Sequence, residues 1–139
     1  MANFLFPSAR AGYLGGSQSW VAASVPGTVV PYIIGSWAVD QTKVFLSDIP
    51  IAVWRARGTY LVNKTVASGI ADADDTTIAA VGSAGSATAV AIILVNETNA
   101  SNTSLLIGYI DTATGIPFLP NGADVPVVFD SGQNRIFAL

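Results

Sequence analysis

Ala89 to Val95 is apolar at every position, and the run is bounded by Gly85-Ser86 before it and Asn96 after it. A block this short and this uniformly apolar favours a central strand buried on both faces, because a helix needs a longer run. Further strand-sized blocks rich in Val, Ile, Thr and Tyr are predicted at 28 to 39, 43 to 46, 59 to 66, 76 to 81, 88 to 96, 103 to 110, 125 to 129 and 134 to 138. In 59 to 66, Tyr60, Val62 and Val66 share one face while Asn63 and Thr65 share the other. That is the alternation of a half-buried strand, interrupted on its apolar side by Lys64. Asp48-Ile49-Pro50, Gly82 to Gly85, Asn121-Gly122 and Ser131-Gly132 supply turns. The pattern predicts an all-β chain, a compact β-sandwich or barrel of about eight short strands. One or two helical turns near Ile51 to Arg57 are the single expected exception.

Residues 1 to 27 differ from the rest. They are rich in Gly, Ser and Ala, show no period of 2 or 3.6, and carry Phe4, Phe6, Tyr13 and Trp20. They read as an irregular N-terminal arm ahead of a single β-rich domain at 28 to 139. Large aromatics are unfavourable in water, so the four residues are expected to fold over the chain's own core or to dock on a neighbouring subunit.

Composition removes most chemistry. The 139 residues include no histidine and no cysteine, so the usual acid-base group at neutral pH and the soft metal ligands are missing. Charged residues make up 11% of the chain, against roughly 25% in ordinary soluble domains. Such a shortage points to surface covered by neighbours, since charge is depleted at interface centres. The net charge of −3 and the scatter of the six basic residues offer nucleic acid little to hold. The lack of cysteine excludes disulfides and fits a reducing cytoplasm. Residues 11 to 39 are uncharged, yet Pro26, Gly27, Pro31 and Gly35 break them up, which argues against a membrane helix. The first residues lack the basic region and apolar core of an export signal, so the N-x-[ST] sequons at Asn63, Asn96, Asn99 and Asn102 read as turn composition.

Two motifs imitate active sites. Asp130-Ser131-Gly132 after an apolar strand resembles an aspartic protease turn, but that chemistry needs paired carboxylates and further sheet, and seven residues remain. The expected role is the turn before the last strand. Asp72, Asp74 and Asp75 could hold calcium, but as an EF-hand loop the segment has Thr77 where glycine belongs and Ser83 where the closing glutamate belongs. An acidic turn is expected, with a calcium site of another geometry as the alternative, and no metal or cofactor is assigned. There is no glycine-rich phosphate loop and no Gly-x-Ser-x-Gly elbow. A stacking platform for sugars, built on Trp37 or Trp54, is the alternative use of the aromatic residues.

From about Val44 onward the landmarks Leu46-Ser-Asp-Ile-Pro50, Ala71-Asp-Ala-Asp-Asp75, Tyr109-Ile-Asp-Thr-Ala-Thr-Gly115, Pro120-Asn-Gly122 and Phe129 to Phe137 follow in order. This resembles a family of small virion-associated head decoration proteins of tailed bacteriophages. The first 43 residues carry none of the likeness. The resemblance implies a non-enzymatic decoration or cement subunit that is made in the host cytoplasm and binds the major capsid protein in many copies or as a homo-oligomer. A neck or tail component is the nearest alternative.

Overall fold

A computed structural model describes residues 3–21, 28–82, 87–130 and 135–139. The chain is mainly β, with strands β1 (Phe4–Leu5), β2 (Thr28–Gly35), β3 (Trp54–Arg57), β4 (Thr65–Ala67), β5 (Ile70–Asp72), β6 (Thr76–Ile78), β7 (Ala89–Glu97), β8 (Leu105–Ile110), β9 (Val125–Val127) and β10 (Phe137–Ala138), and one α-helix, α1 (Pro7–Gly15). They form an antiparallel five-stranded sheet in the order β1-β8-β7-β2-β3, a three-stranded sheet β10-β5-β4 and the pair β6-β9. Among the described residues the large sheet is open, since β1 and β3 each have a partner strand on one side only.

The predicted central strand is β7, flanked by β2 and β8. Its register with β2 sets Tyr32 opposite Ile93, Val30 opposite Val95 and Ile33 opposite Ile92. Because successive side chains alternate, Val30, Tyr32 and Ile34 share a face with Ala91, Ile93 and Val95, while Ile33 and Ile92 point the other way. Both faces are covered. One core cluster gathers Val30, Ile34, Ile93 and Val95 with Phe6, Trp20, Leu46, Ile49 and Leu106. A second packs Ile33, Ala89 and Ile92 under Ile78, Val81 and Val127 from the β6-β9 pair and its neighbourhood. Each fully buried Ile, Leu or Phe contributes roughly 1.5–3 kcal/mol, so the two-sided cover of β7 holds the sheet together.

The N-terminal residues belong to this body. Phe4 pairs with Tyr109 and Leu5 with Gly108, Phe6 N–H donates to Ile107 O at 2.9 Å, and Pro7 opens α1. The helix has no large apolar stripe. Its buried positions are Ala9 and Gly12, small enough for close approach to the sheet, which is why periodicity missed it. Gly16, at φ 78°, ends it, and Ser17 and Gln18 N–H both return to Gly12 O.

Several expected strands are shorter or absent. Residues 43 to 46 make a single bridge, Phe45 to Leu105, because the Asp48 carboxylate accepts the Val44 and Phe45 N–H groups and folds the segment into a 3-10 turn, Leu46–Asp48. Near Ile51 the helical expectation reduces to one 3-10 turn, Ile51–Val53, followed directly by β3. The 59 to 66 expectation is inverted. Gly58 N–H donates to Pro31 O and Leu61 N–H to Val29 O, so this stretch runs along the edge of β2 with Leu61 buried, while Tyr60, Val62 and Val66 are each more than half exposed. Ser68 and Gly69, at φ 52° and 78°, make the two-residue turn between β4 and β5, and the Ser-Gly pair was a signal available in the sequence. The expected turns at 83–85 and 131–132 lie outside the described residues.

Phe6→Ala should cost about 3–5 kcal/mol in denaturant unfolding, the range for an emptied aromatic core site. Gly58→Ala should cost about 1–3 kcal/mol, because its Cβ would lie 2.8 Å from Pro31 Cγ and 2.9 Å from Pro31 O. Tyr60→Ala should leave the midpoint within about 0.5 kcal/mol of the parent.

Candidate functional site

The four N-terminal aromatics serve the chain's own core. Phe6 is fully buried and Trp20 is 3% exposed, with its indole N–H donating to Asp72 O at 2.9 Å. Phe4 stacks on Tyr109 at 5.4 Å and meets Phe6 edge-on, while Tyr13 stacks on Phe137, whose ring also takes the edge of Trp20. Burial pushes the Tyr13 hydroxyl well above its usual range. Phe6 and Trp20 are thus enclosed by the fold, while Phe4 and Tyr13 pack against the same core and stay partly exposed.

Exposed apolar residues are spread over the surface, from Leu14 and Val21 to Ile51, Leu119 and Val128, and three of them follow closely in sequence. Tyr60, Val62 and Val66 are 51%, 58% and 52% exposed and follow one another into β4, which has β5 on one side and no strand of the described residues on the other. All three residues of β4 are exposed. A free edge carrying apolar side chains is a template for a partner, because its outward N–H and C=O groups and its side chains gain when covered. The alternation read from sequence found this row and assigned it to the wrong side. Its direction is set by Gly58, which brings the chain against Pro31 and turns Leu61 inward.

Beside this row, one ionic cluster ties three strands together. Arg57 grips Glu97 with two guanidinium nitrogens, Nε donating to Oε2 at 2.8 Å, and Tyr32 OH donates to the same carboxylate. Arg57 also lies over the Tyr60 ring, 5.4 Å from its centroid. The Arg57 hydrogen bonds hold the Glu97 carboxyl below its usual range, helped by Tyr32, while desolvation opposes them. Burial and the neighbouring carboxylate push the Tyr32 hydroxyl up.

A cleft of about 910 Å³ opens on the other side of β7. Ile33, Ile92 and Ile110 floor it, Ile116 and Phe118 form a wall, and Thr112, Thr114, Asp130 and Arg135 stand among its polar lining. In a chain without histidine or cysteine, these threonine hydroxyls have no imidazole base to make them nucleophiles. Asp130 lies in this lining, while Ser131 and Gly132 fall outside the described residues.

The aspartates that suggested calcium take separate partners. Asp72 pairs with Arg135, Asp74 accepts from Asn63 Nδ2 at 2.6 Å, and Asp75 accepts the Phe129 N–H at 2.8 Å. Among the described residues no three Asp or Glu side chains converge as metal ligands. Trp54, expected with Trp37 as a sugar platform, is partly buried. It meets Tyr32 edge-on at 5.6 Å and its indole N–H donates to Ile49 O, while Trp37 packs partly buried on the main core. No helix among the described residues is long and apolar enough to cross a membrane. No protein-family model matches the chain, and no curated protein matches it.

The Arg57–Glu97 pair gives a pH prediction. A carboxyl held below its unfolded pKa contributes stability that is present above the unfolded value and lost as pH falls through the native one. Acid titration of the unfolding free energy should therefore show a loss below the ordinary glutamate range that Glu97→Gln removes. With Arg57 nearly half exposed, solvent screening limits the pair to about 1 kcal/mol, measurable by a double-mutant cycle with Arg57→Ala.

Proposed function

We propose that this protein is a non-enzymatic structural component of a tailed bacteriophage particle, a decoration or cement subunit that binds the major capsid protein lattice and stabilises it. The observation that carries the reading is the exposure of Val66 on the free-edged strand β4 and of Tyr60 and Val62 in the segment leading to it, in a chain with only 11% charged residues. Such a surface gains free energy when covered and performs no chemistry. Binding to assembled shells, and not to dissociated subunits, raises shell stability by mass action alone. The ordered landmarks from Val44 to Phe137, which resemble phage head proteins, support the same reading. In this reading the body is a sandwich, with the smaller sheets laid over the five-stranded one. The N-terminal segment then acts through the fold, and the β4 edge replaces it as the docking surface.

Purified shells mixed with the protein should retain it at high copy number and withstand higher temperature. A few copies per particle would instead indicate a neck or tail component, and no retention would overturn the proposal. Replacing Tyr60, Val62 and Val66 together by serine should leave a folded protein with retention weakened about tenfold or more, since interface energy concentrates in a few apolar and aromatic anchors. Full retention by that variant would exclude the β4 edge as the contact.

A further inference from the structure

Asn121 is the only asparagine in the chain that precedes a glycine. The chemistry of that pair is particular. A backbone nitrogen can attack the preceding asparagine's side-chain carbon, and glycine, with no side chain, hinders the approach least. The structure puts the pair on an exposed turn, with Gly122 at φ 84°. It also ties down the attacking group. Gly122 N–H donates to Val81 O at 3.1 Å, and the Val81 N–H returns to Ala123 O at 3.0 Å. Asn121 Oδ1 accepts the Ala123 N–H at 3.0 Å, and Asp124 Oδ1 accepts the Ala80 N–H at 2.9 Å. Two short segments, 80–82 and 121–124, are thus laced together, and Val81 itself is fully buried in the second core cluster.

We infer that Asn121 is this chain's site of spontaneous deamidation and that the Gly122–Val81 hydrogen bond gates it. The Gly122 amide loses its proton to base, its nitrogen attacks Asn121 Cγ, and the new N–Cγ bond forms as the Cγ–Nδ2 bond breaks and ammonia leaves with a proton from water. Water then opens the resulting succinimide at either carbonyl, leaving aspartate or β-linked isoaspartate at position 121 without any change of oxidation state. In the folded protein the Gly122 proton is held on Val81 O, so attack waits for the 80–82 and 121–124 lacing to open. The native rate is then the unfolded-chain rate multiplied by the open fraction. The isoaspartyl product adds a methylene to the main chain and a negative charge, which misaligns both bonds to Val81. The change is one-way and loosens the cover over Ile33 and Ile92.

The test is peptide mapping by mass spectrometry after incubation in mildly alkaline buffer, native and in concentrated urea. In urea, position 121 should gain roughly 1 Da first among the asparagines. In the native protein the same site should react about tenfold or more slowly. Asp124→Ala, which releases the Ala80 N–H, should raise the native rate and leave the urea rate unchanged. Hydrogen exchange of the Gly122 amide needs no variant and should be slowed by the same factor as deamidation. Earlier modification at another asparagine would overturn the assignment. Equal native and urea rates, an unaltered rate in Asp124→Ala, or mismatched protection of the Gly122 amide would overturn the gate.

Discussion

The fold depends on hiding both faces of β7 at once. A strand that is apolar at seven consecutive positions cannot leave either side in water, so the chain needs two separate covers. The first comes from Phe6, Leu46, Ile49 and their neighbours, and the second from Ile78, Val81 and Val127. The lesser elements follow from these demands. The pair β6-β9 is too short to be stable alone, and it persists because it lies over Ile33 and Ile92. The helix α1 buries only the small residues Ala9 and Gly12, and Gly12 leaves room there for the Gln18 side chain.

Legibility in the sequence followed the strength of local signals. The block Ala89 to Val95 gave its strand and its burial most clearly, and the strands expected at 28 to 39 and 103 to 110 form over 28 to 35 and 105 to 110. The helix was hidden because its buried face is Ala9 and Gly12, which hydrophobic patterning does not register. The strand expected at 43 to 46 failed to form because Asp48, three and four residues away, takes up the backbone donors that a sheet would have used. The row at Tyr60, Val62 and Val66 was legible as a row. Its outward direction was not, because that depends on tertiary contacts between residues 58–61 and β2.

The few charged groups are used as fasteners. Arg57 and Glu97 join β3 to β7 across Tyr32, and Asp72 holds Arg135 near the C-terminus. Arg55 reaches three carbonyls, those of Ala52, Trp54 and Ala87, and so ties the start of β3 to the approach to β7. Beside these fasteners β4 leaves Thr65, Val66 and Ala67 exposed.

The pairing of β1 with β8 has a consequence for how the protein is made. Phe4 finds its partner Tyr109 only after all the residues between them have been synthesised. β2 must likewise wait for β7. Vectorial synthesis therefore leaves early strands unpaired and apolar surface unprotected until their distant partners emerge, and folding is a largely non-local event. Such a protein has particular need of chaperone shelter while it is being translated.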